Sequence, residues 1–165
     1  MFVSKSNDMN IFYLDKDPHE APRYLYNKHV VKMILETAQM LCTAHHHYEQ
    51  GDNVPYKKAY YNHPSTKWAR ESLQNYNWLF KYFTSINLEY FTRYKKIHKS
   101  FIKCNNSLVN APIGIPNTGF TQPPQCMPDQ YKDKCSIVAY WNYYINDKKH
   151  IARKNERLWI KPPIV

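Results

Sequence analysis

Asn27-Lys28-His29-Val30-Val31-Lys32-Met33-Ile34-Leu35-Glu36-Thr37-Ala38-Gln39-Met40-Leu41-Cys42-Thr43-Ala44-His45-His46-His47-Tyr48 is the stretch that decides the fold. Val30, Ile34 and Leu41 recur at helical spacing, and so do Val31, Leu35 and Ala38. That period belongs to an α-helix, not to a strand. The two rows together make a wide apolar stripe, which predicts a central helix with neighbours on more than one side. His29, Lys32 and Glu36 fall on one face of it, and Lys28 and Lys32 are four apart. Charges set in a largely apolar helix require a reason.

On the N-terminal side, Ile11 to Leu14 is a short β-prone apolar run between Asn10 and Asp15. It reads as a candidate strand or as an extended segment laid on the helices. Asp17-Pro18-His19-Glu20 offers a cap, a proline and an acid, but Pro22 interrupts, so Pro18 to Tyr26 reads as irregular turns. On the C-terminal side, Gly51 to Pro55 reads as a loop and Asn62-His63-Pro64-Ser65 as a second break, with Asn62, Ser65 and Thr66 as caps. A helix is predicted from Thr66 to Phe83, with Trp68, Leu73, Trp78, Leu79 and Phe83 inward. Another is predicted from Asn87 to Lys103, with Leu88, Phe91, Ile97 and Ile102 as its apolar marks.

Ala111 to Gln130 carries five prolines and two glycines, a density that no helix or central strand tolerates. It reads as an ordered loop or a flap, and so long a connection often carries function. A last helix is expected from Lys134 to Arg153, with Ile137, Val138, Trp141, Tyr144 and Ile145 on related turns, then an extended end from Trp159 to Val165. The expected fold is mainly α: a compact helical domain over residues 9–165, with a short N-terminal extended segment and a long proline-rich loop. Residues 1–8 read as a disordered polar leader.

A chain of 165 residues with 43% hydrophobic residues can bury a sizeable core. Mean hydropathy is −0.72, but 15 tyrosines, each a large ring scored as polar, account for much of that. The 23 Lys+Arg against 13 Asp+Glu give a net charge of +10, a field that concentrates polyanions. The expected partner is therefore DNA, RNA or a nucleotide. No 18-residue apolar run exists, so no membrane partner is expected, and the start is too polar for a secretory segment. Four cysteines without a CxxC pair suit free thiols inside a cell. Neither GxGxxG nor GxxxxGK[ST] occurs, so phosphate would be held by side chains and helix starts.

The candidate catalytic residues are His29, Glu36, His98 and Asp129. Either histidine can transfer a proton, and either carboxylate can orient or activate the attacking group. Phosphate or nucleic-acid binding falls to Lys28, Lys32, His63, Lys67, Arg70, Arg93, Lys96, Lys99 and Lys132. Arg93, Lys96 and Lys99 repeat every three residues with Tyr90 and Tyr94 between them, a basic and aromatic pattern suited to a strand. The alternative for each cluster is an ordinary solvated helix face or loop. His45-His46-His47 are consecutive and cannot all meet one ion on a helix. No cofactor is assigned; a divalent metal would need an acidic centre such as Asp15, Asp17 and Glu36. Cys126 carries no adjacent group that marks it as a nucleophile.

Met9-Asn10-Ile11-Phe12-Tyr13-Leu14-Asp15, Lys28-His29-Val30-Val31-Lys32-Met33, Asn62-His63-Pro64 and Cys126-Met127-Pro128-Asp129 resemble a family of small proteins of tailed phages and large DNA viruses. The resemblance runs over nearly the whole chain from Met9 and departs at Asn27, where the family carries an acidic residue. It implies a viral setting in the host cytoplasm or nucleus, among DNA and nucleotide metabolism. The residues then suggest an enzyme cleaving a glycosidic or phosphodiester bond, since cations with an acid–base pair suit both. The alternatives are a non-catalytic nucleic-acid-binding protein and a viral protein that binds a host protein.

Overall fold

The computed structural model describes residues 9–152, which form five α-helices and no strand. They are α1 (Asn27–His47), α2 (Pro64–Glu71), α3 (Leu73–Tyr94), α4 (Lys99–Leu108) and α5 (Ser136–Asp147). The expected leader at 1–8 and extended end at 159–165 lie outside the described residues. α1 is the central helix, packed against α2, α3 and α4. It runs antiparallel to α3: Arg93 reaches Asn27 at one end, and at the other His45 Nε2 meets Tyr76 Oη at 2.9 Å. Its buried stripe is wide, as predicted, but its second row is not the predicted one. Val30, Ile34, Ala38 and Leu41 are buried, whereas Val31 and Leu35 are 39% and 41% exposed and Met33, Thr37, Met40 and Ala44 take the second row.

The predicted Thr66–Phe83 helix is two helices. Ser72 leaves helical geometry at φ −150° and ψ 155°, and its hydroxyl accepts from Asn75 N–H to start α3. A serine offers the backbone this alternative to continuing the helix. α3 then runs on to Tyr94, through the predicted start of the next helix, and stops at Lys95 in the left-handed conformation. α4 begins only at Lys99. With this register Leu88, Phe91, Ile97 and Ile102 are exposed, contrary to the prediction, and Ser100, Cys104 and Leu108 face inward.

Residues 9–14 form no strand but are buried as a non-helical segment that turns where Leu14 N–H bonds the Phe12 carbonyl. Asn10 Oδ1 accepts from the N–H groups of Ile11 and Phe12, and Trp141 Nε1–H donates to the Leu14 carbonyl at 2.8 Å. α5 is shorter than predicted; Ile137, Trp141 and Tyr144 are buried, and Ile145 is exposed. The proline-rich stretch is an ordered strap. Asn75 Nδ2 donates to Thr121 Oγ1 and Asn75 Oδ1 accepts from Thr121 N–H. Trp68 Nε1 donates to the Thr121 carbonyl, and Ser136 and Tyr140 hold the carbonyls of Pro123 and Pro124.

Candidate functional site

Five segments scattered over more than a hundred residues meet on one wall. Asn10 Nδ2 donates to the Cys126 carbonyl at 3.1 Å, and the Cys126 thiol lies 3.4 Å from Ser65 Oγ at the start of α2. Tyr140 Oη accepts from Cys126 N–H at 3.5 Å and donates to the Pro124 carbonyl at 2.6 Å. The Tyr140 ring meets Phe12 edge-on, and Phe12 stacks on His29 at 4.3 Å between centroids. His29 Nδ1 is 2.9 Å from Tyr144 Oη, which accepts from Tyr26 N–H just before α1. The wall therefore runs from the start of α1, across the 9–14 segment, to the start of α2 and the strap.

Its interior is uncharged. Burial pushes the His29 pKa down to about 3, and the fields of Lys32, Lys148, Lys28 and His150 push the same way, so the ring is neutral near pH 7. Burial likewise raises the Cys126 thiol and holds the Tyr140 hydroxyl protonated. A proton carrier is most effective with a pKa near the working pH, so His29 is better equipped to position Phe12 and Tyr144. Phe12 itself sits at φ 51°, an unusual conformation for a bulky residue.

Charge gathers on the rim. Lys28 and Lys32 are exposed on the first turns of α1, and Lys32 pairs with Glu36 at 3.5 Å. Lys67 and Glu71, four apart on α2, line a groove of about 380 Å³ with Asn62, Pro64, Trp68, Thr121, Gln122 and Pro124. His63 heads α2 and is its cap: Nδ1 accepts from Ser65 N–H at 3.1 Å, so Asn62, Ser65 and Thr66 do not fill that role. Asp129 and Lys132 form an exposed ion pair at 2.8 Å, which holds the carboxyl below the usual range.

Other candidates have structural partners. Arg93 donates to Glu89, to the Leu25 and Arg23 carbonyls and to Asn27 Oδ1, bracing α3 against the entry to α1. Arg70 is buried, donates to the Tyr61 carbonyl and lies 4.0 Å from the Tyr61 ring centroid. His98 caps α4 through Ser100 N–H and meets Tyr90 edge-on, in the α3–α4 connection with exposed Lys96 and Lys99. Tyr90 and Tyr94 pack on each other at 5.0 Å. Asp15 and Asp17 accept from backbone N–H groups of the turn that follows them. Among the described residues no three His, Cys, Asp or Glu side chains come together as a metal-holding group.

The structure thus joins Lys28, His29, Lys32 and Glu36 at one end of the wall and His63 and Lys67 at the other. The His98 group meets Tyr90, and the Tyr90–Tyr94 pair reaches the entry to α1 at the Asn27 carbonyl. The sequence reading missed Asn10, Phe12, Tyr140 and Tyr144, whose roles depend on contacts more than a hundred residues long. It also missed Glu71, although the Lys67–Glu71 spacing was visible.

Exposed Lys28, Lys32 and Lys67 around this uncharged interior offer cations to a phosphate-bearing chain. Residues 9–103 match the model of the pyrimidine dimer DNA glycosylase family, and the chain belongs to that family. It is accordingly a nucleic-acid-processing enzyme of the class that cleaves a glycosidic bond, with DNA as its partner. No curated protein and no solved structure matches the chain. Among the described residues no helix is long and apolar enough to cross a membrane. The matched region holds three of the five converging segments; Cys126 joins the strap to them in space, and Tyr140 and Tyr144 join α5.

Proposed function

We propose that this chain hydrolyses the N-glycosidic bond of one pyrimidine of a dimer in DNA, in the groove between α2 and the strap. Water bonds to the sugar carbon as the base nitrogen leaves with a proton, and the freed base stays joined to its partner pyrimidine through the dimer. The observation that supports this most is the meeting of Asn10, Ser65 and Cys126, which joins the matched region to the strap. Lys28, Lys32, Lys67 and Lys132 are exposed and take backbone phosphates; Arg70 and Arg93 shape the scaffold instead.

Breaking an N-glycosidic bond builds positive charge on the sugar, and a carboxylate beside it lowers that barrier. Glu71 is the carboxylate that lines the groove, four residues from Lys67, and we assign it this role. Glu36 is paired with Lys32, and Asp129 with Lys132. His29 positions the wall rather than moving a proton. The likeness to phage and large DNA-virus proteins supports work on a viral genome inside the host cell.

The test is a duplex carrying one cyclobutane thymine dimer, followed by detection of abasic sites. The expected result is lesion-dependent abasic-site formation, reduced at least tenfold by Glu71→Gln with binding retained. Binding without abasic-site formation, equal on damaged and undamaged duplex, would overturn the assignment.

A further inference from the structure

Lys57-Lys58-Ala59-Tyr60-Tyr61-Asn62-His63 leads into the groove and contains no acidic residue. Tyr60 is in the left-handed region at φ 48° and is 45% exposed. A tyrosine there is strained, and partial exposure returns little of that cost through burial. Such a conformation persists only where its surroundings over-determine it.

They do so from both sides. Buried Thr43 Oγ1 donates to the Ala59 carbonyl and accepts from Ala59 N–H, both at 3.1 Å. His63 N–H closes the turn onto the Tyr60 carbonyl at 3.0 Å. Tyr61 is fixed by Arg70, which holds its carbonyl and its ring, while Lys58 Nζ lies 4.9 Å from the same ring. The outcome is an aromatic ring held outward on a rigid corner, with exposed Lys57 and Lys58 beside it.

We propose that this corner is a stacking station for one unpaired base of a DNA strand, Tyr60 supplying the ring and Lys57 and Lys58 contacting the flanking phosphates. The proposal rests on the DNA reading above. A duplex covers the faces of its bases, so the ring is offered to a base already out of the stack, and an enzyme that works on a base has to disturb that stack. Pre-positioning the ring removes the ordering cost that a flexible tyrosine would bring to binding.

The experiment measures anisotropy of a labelled thymidine homopolymer and of an undamaged duplex over a salt series, with melting curves for every variant. Tyr60→Gly should bind the single strand about tenfold more weakly with an unchanged salt slope. It should melt no lower than the parent, because glycine accepts this φ without strain. Tyr60→Phe should keep its affinity. Lys57→Ala with Lys58→Ala should shallow the logarithmic salt slope by about 1.4, roughly 0.7 per phosphate contact on a single strand.

Single-strand affinity of Tyr60→Gly within twofold of the parent overturns the proposal. So does an equal loss on the duplex, or a loss in Tyr60→Phe as large as in Tyr60→Gly. Failure of the parent protein to form abasic sites at a dimer would sink the glycosylase reading while leaving these binding outcomes to decide the corner.

Discussion

At the scale of single residues, the histidines divide by what their ring nitrogens meet. His63 and His98 each accept a backbone N–H two residues on, at 3.1 Å, and so open α2 and α4 in the same way. His29 and His45 are buried against tyrosine hydroxyls, with pKa values pushed down by burial to about 3 and about 4. The folded chain keeps both neutral, whereas the unfolded chain protonates them below their ordinary value of 6.5. Stability from these two sites is therefore complete above pH 6.5 and is lost as pH falls toward 3 and 4. In that window each contributes a slope of about 1.4 kcal/mol per pH unit. Melting temperature should fall on acidification from pH 6.5, and His29→Gln should fall less steeply, even though it starts lower through lost packing on Phe12. Parallel curves for the two proteins would show that His29 does not titrate as described. His29 was visible in the sequence as a polar residue in an apolar helix. Its aromatic enclosure was not, because Phe12 and Tyr144 reach it from opposite ends of the chain.

At the scale of elements, periodicity located helices well and their ends poorly. α1 ends within a residue of its predicted limit because its pattern is long and uninterrupted. α3 was divided wrongly: the serine that starts it lies inside an apolar pattern, and the residue that ends it is a lysine where glycine is the usual signal. Lys95 occupies φ 56° and ψ 32° with its N–H bonded to the Phe91 carbonyl. Lys95→Gly should thus stabilise the protein by about 1 kcal/mol, read as a higher denaturant midpoint with an unchanged slope. A lower midpoint would mean that the left-handed lysine carries no strain. The strap was legible as a proline-rich loop, but not its attachment. Asn75 joins α2 to it through the Trp68 carbonyl and two bonds to Thr121, all about 3.0 Å. Asn75→Ala should cost about 2–4 kcal/mol by stranding these partners, and should expose the strap to proteolysis before global unfolding. Cleavage in the strap no faster than in the parent would show that Trp68, Ser136 and Tyr140 suffice to hold it down.

At the scale of the whole molecule, the net charge of +10 specifies a polyanion but not where it lies. The fold distributes that charge unequally: Arg70 and Arg93 face protein carbonyls, while Lys28, Lys32 and Lys67 remain exposed along the wall. Lys96 and Lys99 are equally exposed, but lie at the α3–α4 connection, where His98 meets Tyr90 and contact with the entry to α1 passes through Tyr94 and the Asn27 carbonyl. Every lysine in contact with duplex phosphate releases counterions on binding, so log affinity falls with log salt by about 0.9 per contact. Replacing Lys28, Lys32 and Lys67 together by alanine should shallow that slope by about 2.7. Replacing Lys96 and Lys99 should leave it within experimental error. Both variants remove positive charge from the solvated surface, so a bulk-charge effect would move the slope in both, whereas a located track moves it only in the first. Equal shallowing per lysine in the two variants would place the DNA by net charge alone and remove the wall's claim to it.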